Sequence, residues 1–196
     1  GRSSVEDTHK ALEGAVDATF DAHRLLASGS TPVIGNFALP KLHRHEVTNV
    51  EHARTWDATI WRSWMTAITE GVLEWPWKAA VERSDMADAF DAIDIGIAPS
   101  LDVLPDGTLS PWPARSAARR DATGRCPNPD ALGDVLDRVR DELPNHDLII
   151  SGLGLADPDD HWRSELLEGW LDRILEARND GLTIRGVFLD PAIDGY

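Results

Sequence analysis

The chain has 196 residues, with 34 acidic against 19 basic side chains and a formal net charge of −15. That balance argues against nucleic acid and against anionic membrane surfaces as partners, because both select a basic patch. The length suits one domain over residues 1–196 with a substantial core, and no apolar run approaches the ~20 residues of a spanning helix.

Cys126 stands alone, so no internal disulfide can form and the fold must rest on packing. A lone thiol fits a reducing compartment, and a cytoplasmic location is the expectation. The chain starts at Gly1 rather than Met, so a processed or cut N-terminus would hide a targeting segment.

Residues 5–27 read as a helix, with Leu12, Val16 and Phe20 along one face and His9 and His23 on or beside it. Ser28-Gly29-Ser30 ends it, and Pro32 to Phe37 is the first strand candidate. Lys41 to Glu46 reads as a polar loop. One long helix is then expected from about Thr48 to Glu70, with Trp56, Ile60, Trp64, Ala67 and Ile68 as its apolar stripe. Gly71 ends that helix, and Trp75-Pro76-Trp77 opens an irregular or helical piece.

Ala92 to Ala98 is a second, Ile-rich strand, and residues 99–127 read as a long loop turning at Pro105-Asp106-Gly107. A loop of that length in a compact domain is usually functional or poorly ordered. Asn128-Pro129 is a cap followed by a first-turn proline, and the helix behind it buries Leu132, Val135, Leu136 and Val139. Leu148 to Ser151 is the third strand. Trp162, Leu166, Trp170 and Ile174 mark the next helix, which Asn179-Asp180-Gly181 stops. Leu182 to Leu189 is the fourth strand. Short connections make this a run of βα units and hence a parallel sheet, whose chemistry belongs at the C-terminal strand ends.

The last fifty residues also resemble a known family. They carry Ile150-Ser151-Gly152-Leu153-Gly154, then Asp157-Pro158-Asp159-Asp160-His161-Trp162-Arg163, then Asp180-Gly181, and finally Gly186-Val187-Phe188-Leu189-Asp190 continuing to Asp194-Gly195-Tyr196. In order and spacing this is similar to the C-terminal part of family 1 glycoside hydrolases, the β-glucosidase family. There a strand ends in Ile-Thr-Glu-Asn-Gly, an Asp-rich turn and an Arg open a helix, and Asp-Gly leads into the last strand. The segment Ala92 to Ser100 sits where that family has an Ile-Gly strand, without its Asn-Tyr pair.

The resemblance implies an α/β fold of the (β/α)8 TIM-barrel type, represented by its C-terminal half of about four strands alternating with helices. It sets Gly152 at the position of the family's nucleophilic Glu and Asp190 at that of a sugar-contacting Trp. The family's Asn-Glu-Pro motif, which carries the acid/base, would lie before Gly1. A half barrel has two raw sheet edges and an open interior, so completion is expected from upstream residues, a second chain or a copy of itself.

A retaining glycosidase needs two carboxyl groups roughly 5–5.5 Å apart, and Gly152 has no side chain to supply one. Asp190 is the remaining catalytic candidate, ending the neighbouring strand. Ser151 and Asp194 lie at the same strand ends as candidate sugar contacts. The loop after the first strand brings His43 and His45 toward the mouth. With Glu46 and His52 these histidines invite a metal reading, but two His at i, i+2 without a third ligand at a known spacing do not define a site, and no metal is expected. Of eight tryptophans, Trp75, Trp77 and Trp112 lie in irregular segments beside Pro and are the candidates for stacking a sugar. Gly152-Leu153-Gly154 lacks the full glycine fingerprint of a phosphate cradle, so no cofactor is expected.

Three readings of function follow. The chain belongs to a glycosidase-like barrel that binds or acts on a glycoside without the retaining mechanism. Alternatively it is a non-catalytic sugar-binding or assembly partner. The third is a barrel enzyme of other chemistry built on Asp190 and the His43/His45 loop.

Overall fold

The computed structural model describes residues 5–44, 50–113 and 118–189. In chain order the elements are α1 (Val5–Leu26), β1 (Ile34–Ala38), β2 (Leu42–Arg44), α2 (Val50–Asp57), a π-helical turn (Ala58–Arg62), α3 (Ser63–Glu70), β3 (Val72–Trp75) and β4 (Lys78–Glu82). They continue with β5 (Ala92–Gly96), β6 (Leu101–Val103), β7 (Leu109–Pro111), α4 (Pro129–Glu142), β8 (Leu148–Leu153), α5 (Asp160–Asn179) and β9 (Ile184–Leu189).

Period-two alternation shapes the main sheet. Phe37, Ile93, Ile95, Leu148, Ile150 and Ile184 are buried and face the helices, while the residues between them turn to the other side. The four strands lie in the order β1-β5-β8-β9, every neighbouring pair parallel. Among the described residues, helices cover one face, and β1 and β9 are the two edges. This is the α/β architecture of a partial (β/α) barrel, with its inner face open.

The helices form where the sequence places their caps. Asn128 accepts from the N–H of Asp130 ahead of Pro129, which starts α4. The Asp159 carboxylate accepts from the N–H groups of His161 and Trp162 and starts α5. Gly71 ends α3 in the left-handed region, at φ 65°. On α1, Val16 and Phe20 are sealed against the core, and Phe20 meets Phe90 with ring centroids 5.5 Å apart.

Four local expectations need correction. The helix expected over Thr48 to Glu70 is interrupted by the π turn. There Ser63 donates to the carbonyls of Ala58 and Glu74, each at 2.6 Å, and so joins the bulge to β3. The Trp75-Pro76-Trp77 piece is the tip of a β3–β4 hairpin. Lys41 to Glu46 contains β2, and the long loop contains β6 and β7. These three short strands form a second sheet, with β2 parallel to β6 and β6 antiparallel to β7. Because β2 follows the C-terminal end of β1, and β6–β7 follow that of β5, this sheet is built from the strand-end connections. Among the described residues, no helix is long and apolar enough to cross a membrane.

Candidate functional site

The C-terminal strand ends bring two features together. The first lies on the open inner face. Asn36 on β1 is directly opposite Asp94 on β5, and Ser151 on β8 is opposite Gly96, one side-chain step further along. The Ser151 hydroxyl donates to Asp94 Oδ2 at 2.8 Å, and the Asn36 amide donates to the same oxygen. Asn36 Nδ2 also approaches Ser151 Oγ at 3.4 Å. Asp94 Oδ1 is buried and has no partner among the described residues. A polar triad thus ties three strands just below the mouth. Gly96 leaves room above it, since a Cβ there would sit 3.6 Å from the Asn36 amide nitrogen.

Directly after Ser151, the pairing of β8 with β9 slips. Ile150 lies opposite Val187 but Leu153 lies opposite Leu189, so β8 holds an extra residue. That bulge is centred on Gly152, at φ 78°. A Cβ at Gly152 would point to the Ile97 backbone, 3.4 Å from its N and 3.6 Å from its O. The Ile97 N–H donates to Ser151 O at 2.9 Å and continues the β5–β8 pairing past Gly96.

The second feature is the small sheet standing over these ends. His43 on β2 stacks on Trp112 after β7, with ring centroids 4.7 Å apart and an interplanar angle of 19°. Both rings are half-buried. Burial, and next the Lys41 charge, push the His43 imidazole below its ordinary value, so it is neutral at pH 7. Its Nε2 is buried and has no partner among the described residues.

Between the strand ends and the start of α4, with Trp170 of mid-α5 at its side, lies a cavity of about 50 Å3, lined among others by Ser100, Cys126, Asn128, Gly152 and Gly154. Burial pushes the Cys126 thiol up, so it stays protonated at neutral pH and is a poor nucleophile.

Asp121 fixes the loop over this cavity. Its carboxylate accepts from the Thr123 hydroxyl at 2.6 Å, the Thr123 N–H at 2.9 Å and the Arg125 N–H at 2.9 Å. Burial alone would raise this carboxyl, but those bonds and the Arg125 charge outweigh it and hold it below the usual range. A depressed folded value means that the stabilisation is present above the unfolded value. It begins to be lost below about pH 4 as the carboxylate is protonated. Asp121→Ala leaves those donors unpaired and is expected to cost roughly 1–3 kcal/mol at pH 7 in urea unfolding. The difference from the unsubstituted chain should shrink at acid pH. A pH-independent difference would show that the carboxylate charge has no part in holding the loop.

The remaining sequence candidates are placed as follows. Ser151 is at the mouth within the triad, and His43 and Trp112 are brought together above it. Trp75 is 4% exposed and stacks on Trp77 at 4.9 Å; Trp77 stacks on His9 at 3.7 Å and donates to Glu13. Trp77 is therefore packed against α1, and Trp75 is sealed into the core behind it. His45, Glu46, Asp190 and Asp194 lie outside the described residues. Reading from sequence missed Asn36 and Asp94, although each is a polar residue set between apolar neighbours in a strand, which is the signal that marks them.

No protein-family model and no curated protein sequence matches the chain. Solved structures do match in fold. A β-glucosidase from Thermotoga maritima in complex with castanospermine superposes with a TM-score of 0.71 at 15% identity, covering 91% of this chain and 46% of that one. The same enzyme in complex with deoxynojirimycin gives 0.70 at 14% identity over 91% and 45%. In complex with glucoimidazole it gives 0.65 at 15% identity over 82% and 42%. The chain therefore spans somewhat less than half the length of the β-glucosidases it resembles in fold.

Proposed function

We propose that this chain is the C-terminal half of a glycosidase-like barrel whose strand-end mouth binds a glycoside without the retaining chemistry of β-glucosidases. The observation that carries the reading is the agreement in fold with β-glucosidases over 91% of the chain at a TM-score of 0.70. That agreement sets β5, β8 and β9 as neighbouring barrel strands, and barrel chemistry gathers at their C-terminal ends.

Several residues suit such a ligand. The face of Trp112, backed by a neutral His43, is an apolar platform for a sugar ring. The Asn36–Asp94–Ser151 triad offers donors and acceptors for hydroxyl groups below it. Asp190 and Asp194 belong to the same proposal as further polar contacts from the end of β9, and His45 as one from the end of β2. Trp75, sealed in the core, and Trp77, packed against α1, would add only indirect support.

The absence of a side chain at Gly152 is what separates this reading from hydrolysis by the retaining route, which requires a carboxylate nucleophile. A reading as a sugar-binding pseudoenzyme is favoured by the same observation. For the third reading, other chemistry, the specific support is the neutral His43, whose Nε2 has no partner among the described residues.

Calorimetric titration with an aryl β-glucoside tests the proposal. Binding without release of the aryl alcohol is expected, and Trp112→Ala should weaken it about fivefold or more, as loss of an aromatic contact does. Turnover with ordinary steady-state kinetics, or affinity indifferent to Trp112, would count against it.

A further inference from the structure

The cavity behind the ends of β5 and β8 is set apart from the mouth. Ile95, Leu132, Val135 and Trp170 wall it, side chains that meet between the sheet and the helices covering it. The Asn36–Asp94–Ser151 triad lies on the opposite face of the same strands. β5 and β8 are the central pair of the sheet, so the strand wall of this cavity is not an open edge.

Most buried polar groups in a folded chain find a hydrogen-bond partner. In this cavity several do not. Ser100 is 6% exposed and its backbone carbonyl accepts from the Trp112 N–H at 3.0 Å, but its hydroxyl makes no hydrogen bond among the described residues. Asn128 Oδ1 caps α4 by accepting from the Asp130 N–H at 3.1 Å, and its Nδ2 has no partner among the described residues. The Cys126 thiol, kept protonated by burial, is a further donor in the lining. Arg125 uses only Nε, toward Asp121 Oδ2 at 3.1 Å and Thr123 Oγ1 at 2.9 Å. The two terminal nitrogens of its fork make no hydrogen bond among the described residues.

These unspent groups decide the ligand. Asp121, the carboxylate of the lining, already accepts through both oxygens from Thr123 and Arg125. What is left over is donors, and unspent donors select an acceptor. A carboxylate carries the most acceptor capacity for its size, and a guanidinium fork and the start of a helix both favour its charge. The aliphatic wall suits a short alkyl end. Size follows from the volume of about 50 Å3. A water needs roughly 10–15 Å3 and benzene occupies a cavity of ~150 Å3, which leaves room here for about four or five non-hydrogen atoms.

We propose that this cavity is a second ligand site, for a short-chain aliphatic carboxylate of acetate or propionate size. Ser100, Asn128 and Arg125 receive its oxygens, and its alkyl end rests on Ile95 and Leu132. The site and the mouth occupy opposite faces of the sheet, so it is independent of whether the mouth binds a glycoside.

The test titrates the isotope-labelled chain with sodium propionate and follows its amide resonances. Sodium chloride at equal ionic strength and the neutral analogue propionamide are the controls. Saturable shifts are expected at Ser100, Cys126, Ala131 and the Asn128 side-chain amide, with the Asn36 side-chain amide on the inner face unchanged. Propionamide should bind about tenfold more weakly, having lost the charge-assisted bonds. Ser100→Ala should weaken propionate about fivefold or more. Asn128→Asp keeps an acceptor to cap α4 but sets a carboxylate where a donor stood. It should abolish binding while keeping the far-ultraviolet circular dichroism of the parent. No saturable shift in the millimolar range would overturn the proposal and leave the cavity to water. Shifts that chloride reproduces, equal binding of propionamide, or binding unchanged in both variants would overturn it as well.

Discussion

Incubated with a 2-deoxy-2-fluoro glycoside, the protein is expected to show no mass increase, and with an aryl β-glycoside no burst of aglycone. The reason is positional. A covalent glycosyl intermediate needs a carboxylate at the end of β8, and the resemblance sets Gly152 there. The backbone sharpens the expectation. Gly152 sits at φ 78° within the bulge, and a Cβ would point at the Ile97 backbone from 3.4 Å. Gly152→Glu should therefore leave hydrolysis unrestored and lower stability by roughly 1–3 kcal/mol, the strain of a non-glycine residue in the left-handed region. An adduct on the unsubstituted protein would refute the expectation, and its location on Asp190 would identify a relocated nucleophile.

The largest loss of stability is expected from Phe20→Ala. Phe20 is 1% exposed and its ring lies 5.5 Å from that of Phe90. Phe90 in turn meets Phe37 of β1 with centroids 5.7 Å apart. The single ring thus fastens α1 to the first strand and to the segment that enters β5. Truncating it removes buried apolar area and leaves a cavity, at a cost of roughly 3–5 kcal/mol. For a chain of this size that corresponds to a fall in melting temperature of roughly 6–20 °C. A change of only a degree or two would show that α1 is not docked as described.

The parts of the fold that could be read from the sequence are those with strong local signals. Asn128-Pro129 announces α4, the Trp162–Leu166–Trp170–Ile174 stripe announces α5, and the Ile-rich runs announce β5 and β8, because capping and periodicity are properties of nearby residues. The β3–β4 hairpin was not legible. Pro76 reads as a breaker, and Lys78–Glu82 is exposed throughout, so it has no alternation to betray a strand. The small sheet was hidden for a related reason. Its strands are three residues long, and β2 joins β6 only because both leave neighbouring ends of the main sheet.

The candidate site divides along the same line. His43, Trp112 and Ser151 were visible as residue types at strand ends or in their connections. The stacking of His43 on Trp112 was not, since it depends on pairing between distant segments. Asn36 and Asp94 were passed over because strands were sought by their apolar content; each stands out as a polar residue among apolar neighbours, but which residue it pairs with is visible only once the two strands are set side by side. Trp75 and Trp77 show the converse. Beside a proline they read as an irregular or helical piece open to a sugar, but the hairpin sets Trp77 onto α1, where His9 and Glu13 receive it, and stacks Trp75 behind it in the core.

Amide chemical-shift mapping on the isotope-labelled chain, titrated with an aryl β-glucoside, tests the glycoside-binding mouth most directly. Saturable shifts are expected at Gly96 to Ser100, at Ser151 to Gly154 and at the Trp112 indole, with α1 and α5 unchanged. Shifts confined to the helical side, or none at ligand concentrations in the millimolar range where weak sugar sites fill, would contradict it.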